Sequence, residues 1–202
     1  VSGDFFSFYP HNDSVYFIIA DVAGKGVHAG MVMAKASTLF EVMSRDQVDP
    51  DEMMFHMNND LFITKTSGMF VTCVLGKYDL ISDEITWVNG GHQPAIIRNE
   101  RGEYQNFDSD APPMGVISQK DKSIYKINKQ VLNGNKFYVF TDGLSESLDE
   151  EGKEIGIDGS IKIIEDYYTK DSKKHLSDIT KKIIKISEPG KLSDDLTLIS
   201  IG

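Results

Sequence analysis

A single cysteine, Cys73, stands in 202 residues, so an intramolecular disulfide and a cysteine-rich zinc site are both excluded. It sits inside the apolar run "MFVTCVLG", where a small buried thiol is expected to be inert. Without a disulfide framework the chain suits a reducing compartment, and a cytoplasmic location is the expectation. No run of 18 apolar residues occurs, so direct membrane insertion is not expected, and no signal-peptide pattern is present. Basic residues are scarce. With 21 Lys and Arg against 31 Asp and Glu the net charge is −10, which disfavours nucleic acid and anionic membranes as partners. No G-x-x-x-x-G-K-[ST] phosphate loop, internal repeat, low-complexity tract or linker is found. The opening "VSGDFF" reads as the middle of a strand, and residues 1–202 are therefore expected to be one domain excised from a longer protein.

The composition is that of a soluble globular chain, 40% hydrophobic and 26% charged. A domain of this length buries roughly 70% of its unfolded surface. "DFFSFYP" and "SVYFIIAD" are β-rich and flank "HND", a hairpin signal. A helical pattern runs from Val27 to Ser44, and a second begins at "DPDEMMFHMNNDLF" with Pro50 near its first turn. "MFVTCVLGKYDL", "EITWVNGG" and "QPAIIRN" then read as three consecutive antiparallel strands, with "ISDE" as a tight turn and "RGEYQNF" continuing the meander. "SIYKINKQVL" and "NKFYVFTDG" are further strands around the turn "NGN". Helices are predicted over Ser160–Tyr168 and Lys174–Ile186, "SEPGK" ends the second, and "DLTLISIG" closes as a strand. Strands arrive in blocks and helices in pairs, whereas parallel βαβ units would alternate. The pattern predicts an α+β fold of antiparallel sheets covered by helix pairs.

The loop "GKGVHAG" lies between a strand and a helix, as a dinucleotide-binding loop would. A second parallel strand ending in an acidic residue should follow, but another helix follows instead. The informative residue is Asp21, just before the glycines. Alone it would read as a cap or turn residue. It is joined by Asp4 on the strand expected to pair with its own, by Asp142 in "YVFTDG", and by Asp194 and Asp195 in "SDDLTLIS". Four strand ends thus carry carboxylates beside small residues. Carboxylate oxygens are hard ligands that suit Mg²⁺ or Mn²⁺. A water between two such ions about 3.5–4 Å apart becomes a nucleophile at neutral pH. Such a cage points to phosphoester hydrolysis.

The ordered set "SGDFF", "IADVAGKG", "GMFVTCVLG", "WVNGGHQPA", "APPMGV", "FYVFTDGLSES" and "SDDLTL" spans residues 2 to 198. In this order the elements resemble the PPM (protein phosphatase 2C-like) metal-dependent serine/threonine phosphatases, in the bacterial SpoIIE/RsbU branch. The resemblance implies a four-layer α-β-β-α sandwich, two antiparallel sheets flanked by helix pairs, with two Mn²⁺ or Mg²⁺ ions at its edge. It implies that Asp21 bridges both ions, that the Val22 carbonyl contacts one, and that Asp142, Asp194 and Asp4 complete the ligands. Asp195 would support the strand end or the ligands. The activity implied is hydrolysis of phosphoserine or phosphothreonine on a protein by a metal-bridged hydroxide, without a phosphoenzyme. The substrate implied is a STAS-type anti-sigma-factor antagonist, and an upstream regulatory or sensor domain would act through the helix pair from Val27 to Phe62. Two departures stand out. Eukaryotic relatives place a histidine, proposed to protonate the leaving group, where this chain has Ala23, and their basic phosphate-binding residue has no counterpart. The alternative is accordingly a pseudophosphatase that binds a phosphoprotein without turnover.

The remaining candidates have plainer expectations. His92 in "NGGHQPA" is expected to order a tight turn, with Gly90 and Gly91 supplying positive φ. "APPMG" reads as a rigid turn near the site. His56 and His175 lie on helical patterns and are expected at the surface or in packing. Glu146 is expected to begin a helix.

Overall fold

The computed structural model describes residues 3–64, 68–149, 151–186 and 195–202. The predicted break "SEPGK" and the candidate ligand Asp194 lie outside the described residues. Among the described residues no helix is long and apolar enough to cross a membrane.

The first sheet is built from β1 (Asp4–His11), β2 (Ser14–Val22), β3 (Val71–Asp79), β4 (Glu84–Gly90) and β7 (Asn128–Val131), in that order across the sheet. The second has the order β6 (Tyr104–Phe107), β5 (Ala95–Arg98), β8 (Lys136–Phe140) and β9 (Leu198–Ile201). Every ladder in both sheets is antiparallel. Two helices, α1 (Val27–Arg45) and α2 (Pro50–Ile63), follow β2. A single turn, α3 (Asp142–Ser145), follows β8, and α4 (Gly156–Asp166) and α5 (Ser172–Ile186) come after it.

The period of two along each strand explains the layering. On β2, Tyr16, Ile18, Ala20 and Val22 face α1 and α2, where they meet Phe40, Met53, Met54 and Met57. The alternate residues Phe17 and Ile19 face the second sheet and pack with Trp87, Phe137 and Val139. On β8 the opposite face, Tyr138 and Phe140, meets Ile163, Ile164, Ile179 and Ile183 of α4 and α5. Each central strand is buried on both sides, so it reads as a continuous apolar run rather than an alternating one. The result is α-β-β-α, as expected, and the methionines of α2 are core residues.

Turn chemistry fixes the register. Asn12 and Asp13 close a two-residue hairpin, with Asn12 at φ 50°. Counting outward from His11 opposite Ser14, Asp4 falls opposite Asp21. At "ISDE" the Asp79 carboxylate accepts from the backbone N–H groups of Ile81 and Ser82 at 3.1 and 2.8 Å, which pins the β3–β4 turn. Pro50 occupies the first turn of α2, where its missing N–H is harmless.

Several boundaries differ from the sequence expectation. "QPAIIRN" does not extend the β3–β4 meander: β5 belongs to the second sheet, and the "GHQP" segment is a crossover between layers. The turn "NGN" likewise carries the chain from β7 in one sheet to β8 in the other. α4 starts at Gly156 and α5 at Ser172, earlier than predicted. Only Gly91 of the pair has positive φ, at 71°, and a Cβ there would strike the Pro113 ring. Glu146 does not begin a helix but caps the end of α3. His175 is a packing residue, 2% exposed, its Nδ1 on the Tyr167 carbonyl at 2.8 Å and its Nε2 on the Tyr138 hydroxyl at 3.1 Å. His56 is at the surface, beside Glu52.

The second sheet is bolted to α4 by Arg98, which is 7% exposed, pairs through Nε with Glu165 at 2.8 Å and lies 3.5 Å from the Tyr168 ring centroid. Trp87 fills the space between the sheets, with ring centroids of Phe107 and Phe137 at 5.2 and 5.0 Å. Its Nε1–H is buried without a partner among the described residues. Trp87→Ala should therefore cost about 3–5 kcal/mol, whereas Trp87→Phe should cost less than about 1.5 kcal/mol because the unpartnered N–H goes with the lost ring area. Urea unfolding of both variants checks this, and equal losses would contradict it.

Candidate metal centre

The cluster is built where two sheets meet at one edge. Asp4 opens β1, Asp21 sits one residue before the end of β2, and antiparallel pairing sets them opposite each other. Asp142 comes from the other layer, immediately after Thr141 at the end of β8. One carboxylate oxygen of each lies within 4.8 Å of the other two. Like charges placed directly across a ladder are destabilising. Here a third converges on them.

Burial and that repulsion both bear on the Asp4 carboxyl. Burial, followed by the charges of Asp21 and Asp142, pushes its pKa from 3.8 up to about 6. The opposing influence comes from the hydroxyls of Thr141 and Thr197, which hydrogen-bond the carboxylate; the Thr197 Oγ1 donates to Oδ2 at 3.2 Å. These two threonines were not singled out by the sequence. Their signal was small but present: each is one or two residues from an aspartate of the motif set, in "FTDG" and "DDLTL".

Gly3 accounts for the glycine of "SGDFF". A Cβ at this position would collide with both the Asp21 carboxylate and the Val22 carbonyl. The two oxygens therefore face the same point beside Gly3, which is where a backbone ligand at Val22 would have to stand. The Val22 side chain itself points into the core under α1 and α2, which leaves the carbonyl clear of it. Past Val22, Gly24 and Gly26 take φ of 112° and 90°, turning the chain sharply into α1.

The carboxylates open into a cleft of about 440 Å³ whose wall includes Asp21, Asp142, Ala23, Thr72 and His92. Neither Lys25 nor His28 lines it; His28 lies exposed on α1. Among the described residues no lysine or arginine lines it either. Asp195 is described and lies before β9, whereas Asp194 lies outside the described residues. The three oxygens of Asp4, Asp21 and Asp142 form a hard, anionic donor set, and the strain on Asp4 is the kind a divalent cation relieves.

The chain matches the family described as Stage II sporulation protein E (SpoIIE) over residues 11–202. It belongs to the SpoIIE family. Among curated relatives, it is 23% identical over 199 residues to phosphoserine phosphatase RsbU of Bacillus subtilis (strain 168), covering 98% of this chain and 58% of the relative. The phosphatase domain of SpoIIE from Bacillus subtilis, of the protein phosphatase 2C type, superposes with a TM-score of 0.83 at 20% identity, over 99% of this chain and 58% of that one. RsbX, crystallised in complex with magnesium, superposes with a TM-score of 0.71 at 20% identity, over 99% of this chain and 86% of that one. The chain spans 58%, 36% and 37% of the length of three curated relatives it matches. The sandwich and its helix pairs are thus the SpoIIE-family fold.

For this SpoIIE-family chain the sign of the Asp4 effect can be worked out. A carboxyl raised above its unfolded value binds its proton more tightly when folded. It therefore supports folding at pH values below 3.8, and that support is lost as pH rises through about 6. In EDTA, the thermal midpoint of the wild-type chain should fall relative to Asp4→Asn between pH 4 and pH 6. Parallel curves for the two proteins over that window would show that the Asp4 carboxyl is not raised in the folded chain.

Proposed function

We propose that this chain is the catalytic domain of a metal-dependent protein serine/threonine phosphatase, holding two Mn²⁺ or Mg²⁺ ions. The observation that carries the reading is the charge of the cleft. A phosphoryl dianion cannot enter a pocket walled by Asp21 and Asp142, with no basic side chain on its described wall, unless cations reverse the local sign. The family and the name of the RsbU relative, a phosphoserine phosphatase, support the same chemistry. Asp21 and Asp142, with Asp4 and the Val22 carbonyl, are the residues that would hold the ions, and Asp194 is the further candidate. Bound there, divalent ions supply a lowered pKa for a water and positive charge against the phosphoryl oxygens.

The protein's own share is positioning. The Asp4–Asp21 ladder pair fixes two carboxylates on one rigid sheet, and β8 delivers Asp142 from the other. The hydroxyls of Thr141 and Thr197 hold the Asp4 carboxylate in place. Ala23 presents only a methyl group to the cleft, so this position offers no proton to the leaving serine or threonine oxygen. Solvent in the open cleft takes that role.

The substrate class follows from the resemblance to the SpoIIE/RsbU branch: a phosphorylated STAS-type anti-sigma-factor antagonist in a cytoplasmic partner-switching system. The chain's coverage of its curated relatives supports the reading as one domain of a longer, regulated protein. A regulatory domain would dock on α1 and the neighbouring β1, where Val27, Met31 and Phe6 are 75%, 66% and 59% exposed.

Asp21→Asn keeps the shape of the side chain and removes one charge from the cluster. It should lower Mn²⁺-dependent hydrolysis of p-nitrophenyl phosphate at least about 100-fold while the far-ultraviolet circular dichroism is unchanged. Full activity in this variant would sink the metal-dependent mechanism. Mn²⁺ binding by the wild-type chain without turnover of any phosphoprotein would instead favour a pseudophosphatase that only holds its partner.

A further inference from the structure

The motif "NGGHQP" does more than turn the chain. His92 is 8% exposed, and its Nδ1 lies 2.9 Å from the Thr72 hydroxyl on β3. Thr72 is the direct ladder partner of Asp21. Burial pushes the imidazole pKa down to about 4, with the Phe140 backbone carbonyl of β8 as the opposing influence. Burial favours the neutral ring, whose Nδ1 shares a hydrogen bond with the Thr72 hydroxyl, while the Phe140 backbone lies close enough to the imidazole to act on it. Buried Nε2 has no hydrogen-bond partner among the described residues, and the contact towards Phe140 is a polar approach rather than a formed bond. Phe140 stands two residues before Asp142.

The loop that carries the ring is itself held rigidly. The Asn89 side chain accepts from the His92 N–H at 2.9 Å and donates to the Gln93 carbonyl at 3.0 Å. The Gly91 N–H donates to Ser109 Oγ at 2.7 Å, and Gly91 lies against Pro113 in a conformation closed to other residues. Such bracing is unnecessary for a simple turn. It places one ring between two strands of different sheets, beside the two aspartates that those strands deliver.

We infer that His92 is a positioning residue that clasps β3 to β8 and so sets the separation of Asp21 and Asp142 across the seam between the sheets. The inference rests on the metal-binding reading of that cluster. Cations held by carboxylates from two separate layers are sensitive to the gap between the layers, and groups that orient ligands without touching the metal commonly contribute 10–100-fold in affinity. Asp4 makes a second tie across the same seam through Thr197, so loss of the clasp should loosen the site without opening the sandwich.

Calorimetric titration of the 202-residue chain with Mn²⁺ tests this, with thermal unfolding in EDTA as the control on folding. His92→Leu, which removes both polar arms, should weaken Mn²⁺ binding about 10–100-fold. Thr72→Val, which removes only the Nδ1 partner, should weaken it in the same direction. His92→Asn can still accept from Thr72 and should recover part of the loss. Wild-type affinity in a folded His92→Leu or Thr72→Val chain overturns the clasp, as does His92→Asn binding no better than His92→Leu. Should His92→Leu fail to fold, Thr72→Val decides alone. A wild-type chain that binds no Mn²⁺ would overturn the metal-centred reading itself, an outcome distinct from variants that bind as well as wild type.

Discussion

Mutual repulsion among Asp4, Asp21 and Asp142 is the constraint around which the rest of the molecule is arranged. Three carboxylate oxygens within 4.8 Å are unfavourable in a protein half-shielded from water, and only a stiff frame keeps them there. The frame is the pair of sheets. A ladder fixes two of the charges at the distance of one hydrogen-bonded strand pair, and a second sheet, pressed on the first by Trp87, Phe17 and Phe137, brings the third. Helices on both outer faces then bury the remaining apolar surface. The stability of the sandwich is thus used against local electrostatics, a common arrangement where a site must be ready for its ligand.

How much of this is legible in the sequence depends on the kind of information each residue carries. The Asp4–Asp21 pair is readable because "HND" announces a tight hairpin and the period of two does the rest. Asp142 is readable from its place after an apolar strand. The crossover between β4 and β5 is not, because "EITWVNGGHQPAIIRN" has the same hydrophobic pattern whether its loop closes a hairpin or carries the chain to another sheet. The buried faces are alike in both cases. Thr141 and Thr197 are only faintly legible for another reason: a threonine beside a strand end is ordinary, and only the fold shows that both hydroxyls converge on one carboxylate. The glycines of "GKGVHAG" were conspicuous but serve the backbone, while Gly3, less conspicuous, stands where Asp21 and Val22 leave no room for a side chain.

Polar contacts among the described residues cross the seam between the sheets at the site. One runs from Thr72 through His92 towards Phe140, another from Asp4 to Thr197. The core between the layers is apolar and its packing non-directional. Hydrophobic packing resists separation well but sliding poorly, whereas a hydrogen bond has a preferred length and angle. Placing directional contacts at the one edge where distances matter for chemistry, and apolar ones in the core, divides the work between cohesion and alignment.

The tie between Asp4 and Thr197 joins residues 193 positions apart. Contacts this distant in sequence tend to form late, since closing the long loop between them costs entropy before the contact rewards it. On a ribosome β1 emerges well before β9 and must wait for it. The acidic cluster therefore acquires its full set of hydroxyl supports only once the segment carrying Thr197 has been made. Until then Asp4 lacks its Thr197 partner, and the site is completed in the same event that closes the domain.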